Sequence, residues 1–246
     1  MTPLILTLRA TAPFDIDLSA VTPDRLTGVK VADVALTGGR QLGELFDITG
    51  EDSQNIIIRN PDERLTHIGA GMREGVLTVE GNCGAYAGLA MRGGMLIVKG
   101  NAGDFAGAAI AGSRQGMRGG TIAIYGNVGD RVGERMRRGL VLIGGDAGAY
   151  CGANMLAGTI LVAGKVGLMP GFLLKRGSLL LSRAPNPLPA TFQDSGEHSL
   201  LFLTLLEKRL QREGPTLAHF LPVARTVRRY CGDMACGGTG EMLVFI

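Results

Sequence analysis

Met72-Arg73-Glu74-Gly75-Val76-Leu77-Thr78-Val79-Glu80-Gly81-Asn82-Cys83-Gly84-Ala85-Tyr86-Ala87-Gly88 returns nineteen residues later as Met91-Arg92-Gly93-Gly94-Met95-Leu96-Ile97-Val98-Lys99-Gly100-Asn101-Ala102-Gly103-Asp104-Phe105-Ala106-Gly107. Further copies start at Met117, Met136 and Met155, with a degenerate sixth at Leu174 and an imperfect earlier one over 55–71. The third is displaced by a seven-residue insertion within 108–116. Aligned, Leu77, Leu96, Ile122, Val141, Ile160 and Leu179 are all large and aliphatic, as are Val79, Val98, Ile124, Ile143, Val162 and Leu181. Two such positions separated by one residue are the period of a strand with one buried face. A second apolar series is read at Tyr86, Phe105, Val132, Tyr150 and Met169.

A short strand with glycine corners cannot close a core within one unit, so each unit must lie on the next. The pattern predicts a mainly β protein, a parallel β-helix of about nineteen residues per coil, with like residues spaced about 4.8 Å along its axis. A leucine-rich repeat is excluded by the missing Leu-x-x-Leu-x-Leu frame. A hexapeptide left-handed helix is disfavoured because nineteen does not divide into three six-residue sides. Handedness is not otherwise readable from the pattern. Asn82, Asn101, Asn127 and Asp146 become a structural ladder at one corner, suited to left-handed backbone and to hydrogen bonds along the stack, which Lys165 interrupts.

Composition agrees with a packed repeat. The 246 residues include 39 Gly and no Trp, with 46% hydrophobic residues. Ordinary glycine usage is about 7%, so a Gly-requiring turn is being repeated. This chain is too apolar to be disordered and lacks the Gly-X-Y period of collagen. A net charge of +3, without interleaved aromatics, does not argue for nucleic acid. No signal peptide is expected from the first residues, and the uncharged run 147–164 is in step with the repeat, so no membrane span is expected either. Four cysteines make no disulfide framework, which suggests a reduced, cytoplasmic setting.

The reading divides the chain into an N-terminal cap (1–52), the β-helix (53–183) and a C-terminal extension (184–246). In the cap, Thr22-Pro23-Asp24 resembles a helix start with Thr22 as its cap. In the extension, 199–212 reads as one helix, apolar at Leu200, Phe202, Leu203, Leu206 and Leu210. Such ends protect the exposed edges of a strand stack.

No catalytic constellation is legible. His67, His198 and His219 lie outside the tidy repeats, and Cys231 and Cys236 have the wrong spacing and too few companions for a metal site. Cys83 and Cys151 fall at apolar repeat positions. One series stands apart: Arg73, Arg92, Arg118 and Arg137 each follow the repeat methionine. Unit charges about 4.8 Å apart repel by roughly 1 kcal/mol in water and 3–4 at an effective dielectric near 20. Either Glu74, Asp104, Asp130 and Glu134 neutralise the row, or an anionic partner such as a polycarboxylate lies along it.

With these residues in view, the sequence resembles the C-type subunits of the formylmethanofuran dehydrogenase family, which includes the bacterial formyltransferase/hydrolase complex and is related to the C-terminal domain of glutamate synthase. The carrying motifs are Thr22-Pro23-Asp24-Arg25-Leu26, Leu42-Gly43-Glu44-Leu45-Phe46, Ile68-Gly69-Ala70-Gly71-Met72 and the Met-x-x-Gly repeats. To these are added the insertion ending in Arg114-Gln115-Gly116-Met117-Arg118-Gly119-Gly120 and the tail from Arg228 to Glu241. The resemblance implies a right-handed β-helix without its own active site and without a cofactor of its own. It implies chemistry on partners: an amidohydrolase-like subunit, a formyltransferase and a further subunit, with metals held by those partners. The complex would pass a formyl group between tetrahydromethanopterin and a methanofuran-like carrier and release formate. Such carriers bear a glutamate-rich tail, which Arg73, Arg92, Arg118 and Arg137 would hold. Alternatives are the molybdenum or tungsten dehydrogenase form, a glutamate-synthase-like structural domain, or a free-standing β-helix enzyme.

Overall fold

A computed structural model describes residues 2–11 and 14–246. The chain runs β1 (Pro3–Leu8), β2 (Ile16–Asp17), α1 (Pro23–Leu26), α2 (Leu42–Leu45), β3 (Phe46–Thr49), β4 (Asp52–Arg59) and β5 (Leu65–Thr66). The repeats supply β6 (Val76–Val79), β7 (Met95–Val98), β8 (Arg118–Ile124), β9 (Arg138–Ile143), β10 (Thr159–Val162) and β11 (Ser178–Leu181). The tail adds β12 (Gln193–Ser199), α3 (Leu201–Glu213), β13 (Thr226–Gly232) and β14 (Gly240–Phe245).

The fold is mainly β, one mixed twelve-stranded sheet in the order β12-β13-β14-β11-β10-β9-β8-β7-β6-β4-β1-β3. Its central strands are parallel and in strict register: Ile56, Leu77, Leu96, Ile122, Val141, Ile160 and Leu179 are successive partners. All are fully buried, because the period-2 alternation turns the same face inward in every repeat. A second parallel line of single-residue bridges joins Cys83, Ala102, Val128, Ala147 and Val166. A third runs through backbone bonds such as Gly107 N to Ala87 O, Gly133 N to Ala106 O and Gly152 N to Val132 O. Each nineteen-residue unit therefore hydrogen-bonds to its neighbours at several places around its course.

The third line corrects one sequence reading. Arg131, not Val132, is in register with Tyr86, Phe105 and Tyr150, and these residues share left-handed backbone with φ near 60° (67°, 62°, 59° and 58°). They are only partly buried; the inward position is the next one, occupied by Ala87, Ala106, Val132 and Cys151.

The Met-x-x-Gly motif also acts between units. A β-carbon on Gly94, Gly139, Gly158 or Gly177 would meet the methyl of Met72, Met117, Met136 or Met155, one unit earlier, at 2.6, 2.7, 2.9 or 2.7 Å. The methionine fills the space that the glycine leaves.

Both ends terminate in antiparallel pairs. β1 extends the parallel ladder through β4 and is covered by antiparallel β3; β14 pairs parallel with β11 and is covered by antiparallel β13. Helix α3 packs Leu203, Leu206 and Leu210 over the outward residues Ala123, Leu142, Leu161 and Leu180, and Glu213 accepts a 2.7 Å hydrogen bond from Thr121. The Thr22 hydroxyl does not cap α1; it is buried without a partner among the described residues, while its carbonyl accepts from Arg25 and Leu26. Among the described residues, no helix is long and apolar enough to cross a membrane.

Candidate anion-binding site

The residue after each repeat methionine leaves the stack at one corner. Arg92 N bonds Met72 O, Arg118 N bonds Met91 O, Arg137 N bonds Met117 O, Leu156 N bonds Met136 O and Lys175 N bonds Met155 O, at 2.7–2.9 Å. The methionines are fully buried, so the next side chain must point out. Arg73, Arg92, Arg118 and Arg137 accordingly form one exposed row that continues, after Leu156, to Lys175.

The row is not uniform. Arg73 lies 4.0 Å from Asp24 of α1, whereas Arg92, Arg118 and Arg137 have no ion-pair partner among the described residues. Of the four acids read as candidates to neutralise the row, Glu74 is exposed and the other three are engaged elsewhere. Glu134 pairs with Arg131 at 3.5 Å and Arg135 at 3.6 Å. Asp104 and Asp130 accept the backbone amides of Asp130 and Ala149, one unit on, at 2.7 Å.

Past Arg118 the row opens into two adjoining clefts. One, of about 450 Å³, is lined by Arg114, Gln115, Arg135, Asn154, Leu156 and Lys175. The other, of about 520 Å³, shares Gln115, Leu156 and Lys175 and adds Arg137, Arg138, Ala157 and Arg176. Among the described residues, no acidic side chain lines either. Arg114 and Gln115 come from the insertion, which the neighbouring unit holds in place: Arg135 donates to Ser113 O at 2.9 Å and accepts at its carbonyl from Gly116 N at 2.8 Å. Of the arginines expected from sequence, only Arg137 lies in a cleft. Arg114, Arg135, Arg138, Lys175 and Arg176 are additions that the structure makes. For Arg138, Lys175 and Arg176 the signal in the sequence is the basic pair after the methionine in the fourth unit and after Leu174 in the sixth.

Asn82, Asn101, Asn127 and Asp146 occupy a different corner. Each side-chain oxygen accepts the backbone amide one unit on: Asn101, Asn127, Asp146 and Lys165 in turn, at 2.7–2.9 Å. None has the left-handed backbone expected from sequence; reach along the stack, not turn geometry, selects them. Their oxygens occupy the place of a neighbouring β-carbon, 2.2 Å from one built on Gly145 or Gly164, which is why glycine precedes the ladder residue.

The remaining reactive groups do not converge. His67 stacks on Tyr86 with ring centroids 4.6 Å apart, and its Nδ1 meets both the Thr66 hydroxyl at 3.1 Å and Asp17 at 3.8 Å. A proton relay needs the acid and the nucleophile on opposite ring nitrogens, so this group does not form one. Among the described residues, His198 meets the Ser195 carbonyl at 3.0 Å, and His219 is exposed. Burial pushes the Cys83 and Cys151 thiols up to about 12, which makes them poor nucleophiles. Among the described residues no group of three or more His, Cys, Asp or Glu could hold a metal ion.

No family model matches this sequence. A curated protein of Methylorubrum extorquens (strain AM1), the C subunit of the formyltransferase/hydrolase complex Fhc, is 37% identical over 85 residues, a match spanning 32% of this chain and about a third (32%) of that relative's length. A chain in the crystal structure of the formyltransferase/hydrolase complex FhcABCD from Methylorubrum extorquens, in complex with methylofuran, superimposes with a TM-score of 0.83. That likeness has 35% identity and covers 98% of this chain and 99% of the other. This chain belongs to the same family as that subunit. The likeness covers nearly the whole chain.

Proposed function

We propose that this chain is a non-catalytic structural subunit of a cytoplasmic formyltransferase/hydrolase complex. The complex would move a formyl group from tetrahydromethanopterin to a methanofuran-like carrier and release it as formate. Amidohydrolase-like, formyltransferase and further subunits would carry the reacting groups and any metals. The end-to-end likeness to one chain of a complex crystallised with methylofuran is the observation that carries this reading. The hydrolytic form is favoured over the redox one because both named relatives belong to the hydrolytic complex. In this reading the stacked units are a right-handed parallel β-helix, spanning 53–183 between a cap and a C-terminal extension, that serves as a rigid wall for its partners. Arg92, Arg118 and Arg137 guide the carrier's carboxylate tail, while Arg73 is partly neutralised by Asp24.

The test is reconstitution. Purified chain alone should show no formyl transfer or hydrolysis, and partner subunits assembled without it should lose activity that returns on its addition. Turnover by the isolated chain, or full activity without it, contradicts the proposal.

A further inference from the structure

The outward face of the sheet carries one continuous row in register: Ile5, Ile57, Thr78, Ile97, Ala123, Leu142, Leu161, Leu180 and Leu243. From Ala123 to Leu243 the row is fully buried, in the cluster that α3 forms with Leu217 and Phe220 of the turn after it. Ile5, Ile57, Thr78 and Ile97 are only partly buried, and the three isoleucines stand outside the buried clusters on either face of the sheet. Strands apolar on both faces belong between two layers. Among the described residues, this chain supplies its second layer over only part of the row.

The covering layer stops at β8. Glu213, in the last turn of α3, takes the Thr121 hydroxyl there, and Phe220 meets the Tyr125 ring edge-on with centroids 4.9 Å apart. Beyond this end lies an open cleft of about 540 Å³, with Ile57 and Ile97 as its floor, Tyr125 and Thr216 as one wall and Glu80 and Lys99 at its rim. The dimensions describe what fits. The thirteen residues of α3 make about 20 Å of helix, and the five strands of the covered row span about 19 Å. The bare row over β7, β6, β4 and β1 spans about 14 Å, nearly three turns of helix. We infer that a helix of a partner subunit lies there and continues the layer that α3 begins. Its buried face is aliphatic at three- and four-residue spacing, as Leu203, Leu206 and Leu210 are in α3. Its flank towards the rim is acidic, because Arg59 and Lys99 outnumber Glu80 there. The exposed α3 face of a second copy, Leu201 and Leu205 with Lys208 and Arg212, is basic and would meet a rim already positive, so the occupant is a different chain. This inference rests on the reading of the chain as a subunit and names the face by which it assembles.

The test mixes tagged full-length chain with the other subunits purified from the host's complex and measures their recovery. Thr78→Arg sets a charge in the middle of the bare row without removing an apolar residue, and Ile57→Ser/Ile97→Ser removes the floor. Each should lower recovery about tenfold or more, with unchanged melting of Thr78→Arg verifying the fold. Leu201→Ser/Leu205→Ser, on the exposed face of α3, should change recovery less than about twofold. Thr78→p-benzoylphenylalanine, irradiated in the assembled complex, should join to a partner peptide with the aliphatic spacing and acidic flank described. Equal recovery by Thr78→Arg and the parent chain overturns the docking face and leaves the subunit reading standing. A loss confined to the α3 variant moves the interface to that helix and overturns it too. Cross-links to a second copy of this chain, or to a partner segment of alternating strand pattern, overturn the assigned occupant. If the parent chain recovers no partner, the subunit reading itself fails.

Discussion

Two stripes of charge cross the same stack and are built on opposite rules. At the end of the inner strands, Arg59, Glu80 and Lys99 occupy successive units, and Glu80 pairs with Arg59 at 3.1 Å and Lys99 at 2.9 Å. Lys99 and then Arg59 hold the Glu80 carboxyl below its usual range. At the methionine corner, Arg92, Arg118 and Arg137 follow one another with no acid between them. The nineteen-residue repeat brings like positions together in both places, so signs could alternate in both. Folding is served by alternation, as in the first stripe. The second opposes folding, and a row of charge that opposes folding is best explained by a ligand, which is why the proposed site lies there.

The largest expected effects lie in the columns beneath both stripes and set the scale. Ile160→Ala removes a fully buried side chain and should cost about 2–5 kcal/mol in denaturant unfolding. The same interior predicts an alkaline limit. Cys83 and Cys151 keep their protons to about 12 in the folded chain, against 9.0 for an ordinary thiol. The unfolded chain releases protons that the folded chain retains, so stability should be level below pH 9 from this source and fall as pH rises towards 12. Melting curves across that range, with Cys151→Ala flattening the fall, provide the check.

An intermediate loss is expected at the asparagine corner. Asn127→Ala removes the acceptor of the Asp146 amide and should cost about 1 kcal/mol. The smallest effects separate the stripes directly. Glu80→Gln should lower stability by less than about 1 kcal/mol, with the difference shrinking in high salt. Arg138→Gln/Arg176→Gln breaks no ion pair among the described residues and should leave the melting temperature unchanged or raise it at low salt. A clear drop there would mean that the second stripe supports folding after all.

The stacking is legible in the sequence because period, alternation and glycine spacing all point to it. What stays hidden depends on separations that the period does not encode. Asp24 meets Arg73 from 49 positions away in sequence, so no reading of the repeat could divide the arginine row into a paired and an unpaired part. The clefts are obscured because Arg114 sits in the insertion and Lys175 and Arg176 follow a leucine rather than a methionine, outside the Met-Arg series. The docking of α3 does leave a trace: the outward strand position is Thr78 in the first tidy unit but Leu142, Leu161 and Leu180 later, where the helix covers it. Apolar residues on both faces of a strand indicate a second layer.

The most direct test of the central claim is an affinity tag on this chain in its native host, followed by identification of what elutes under mild salt. Stoichiometric recovery of the other subunits of a formyl-transferring, formyl-hydrolysing complex is the expected result. Elution of the chain by itself, or with a glutaminase-bearing partner, would contradict it.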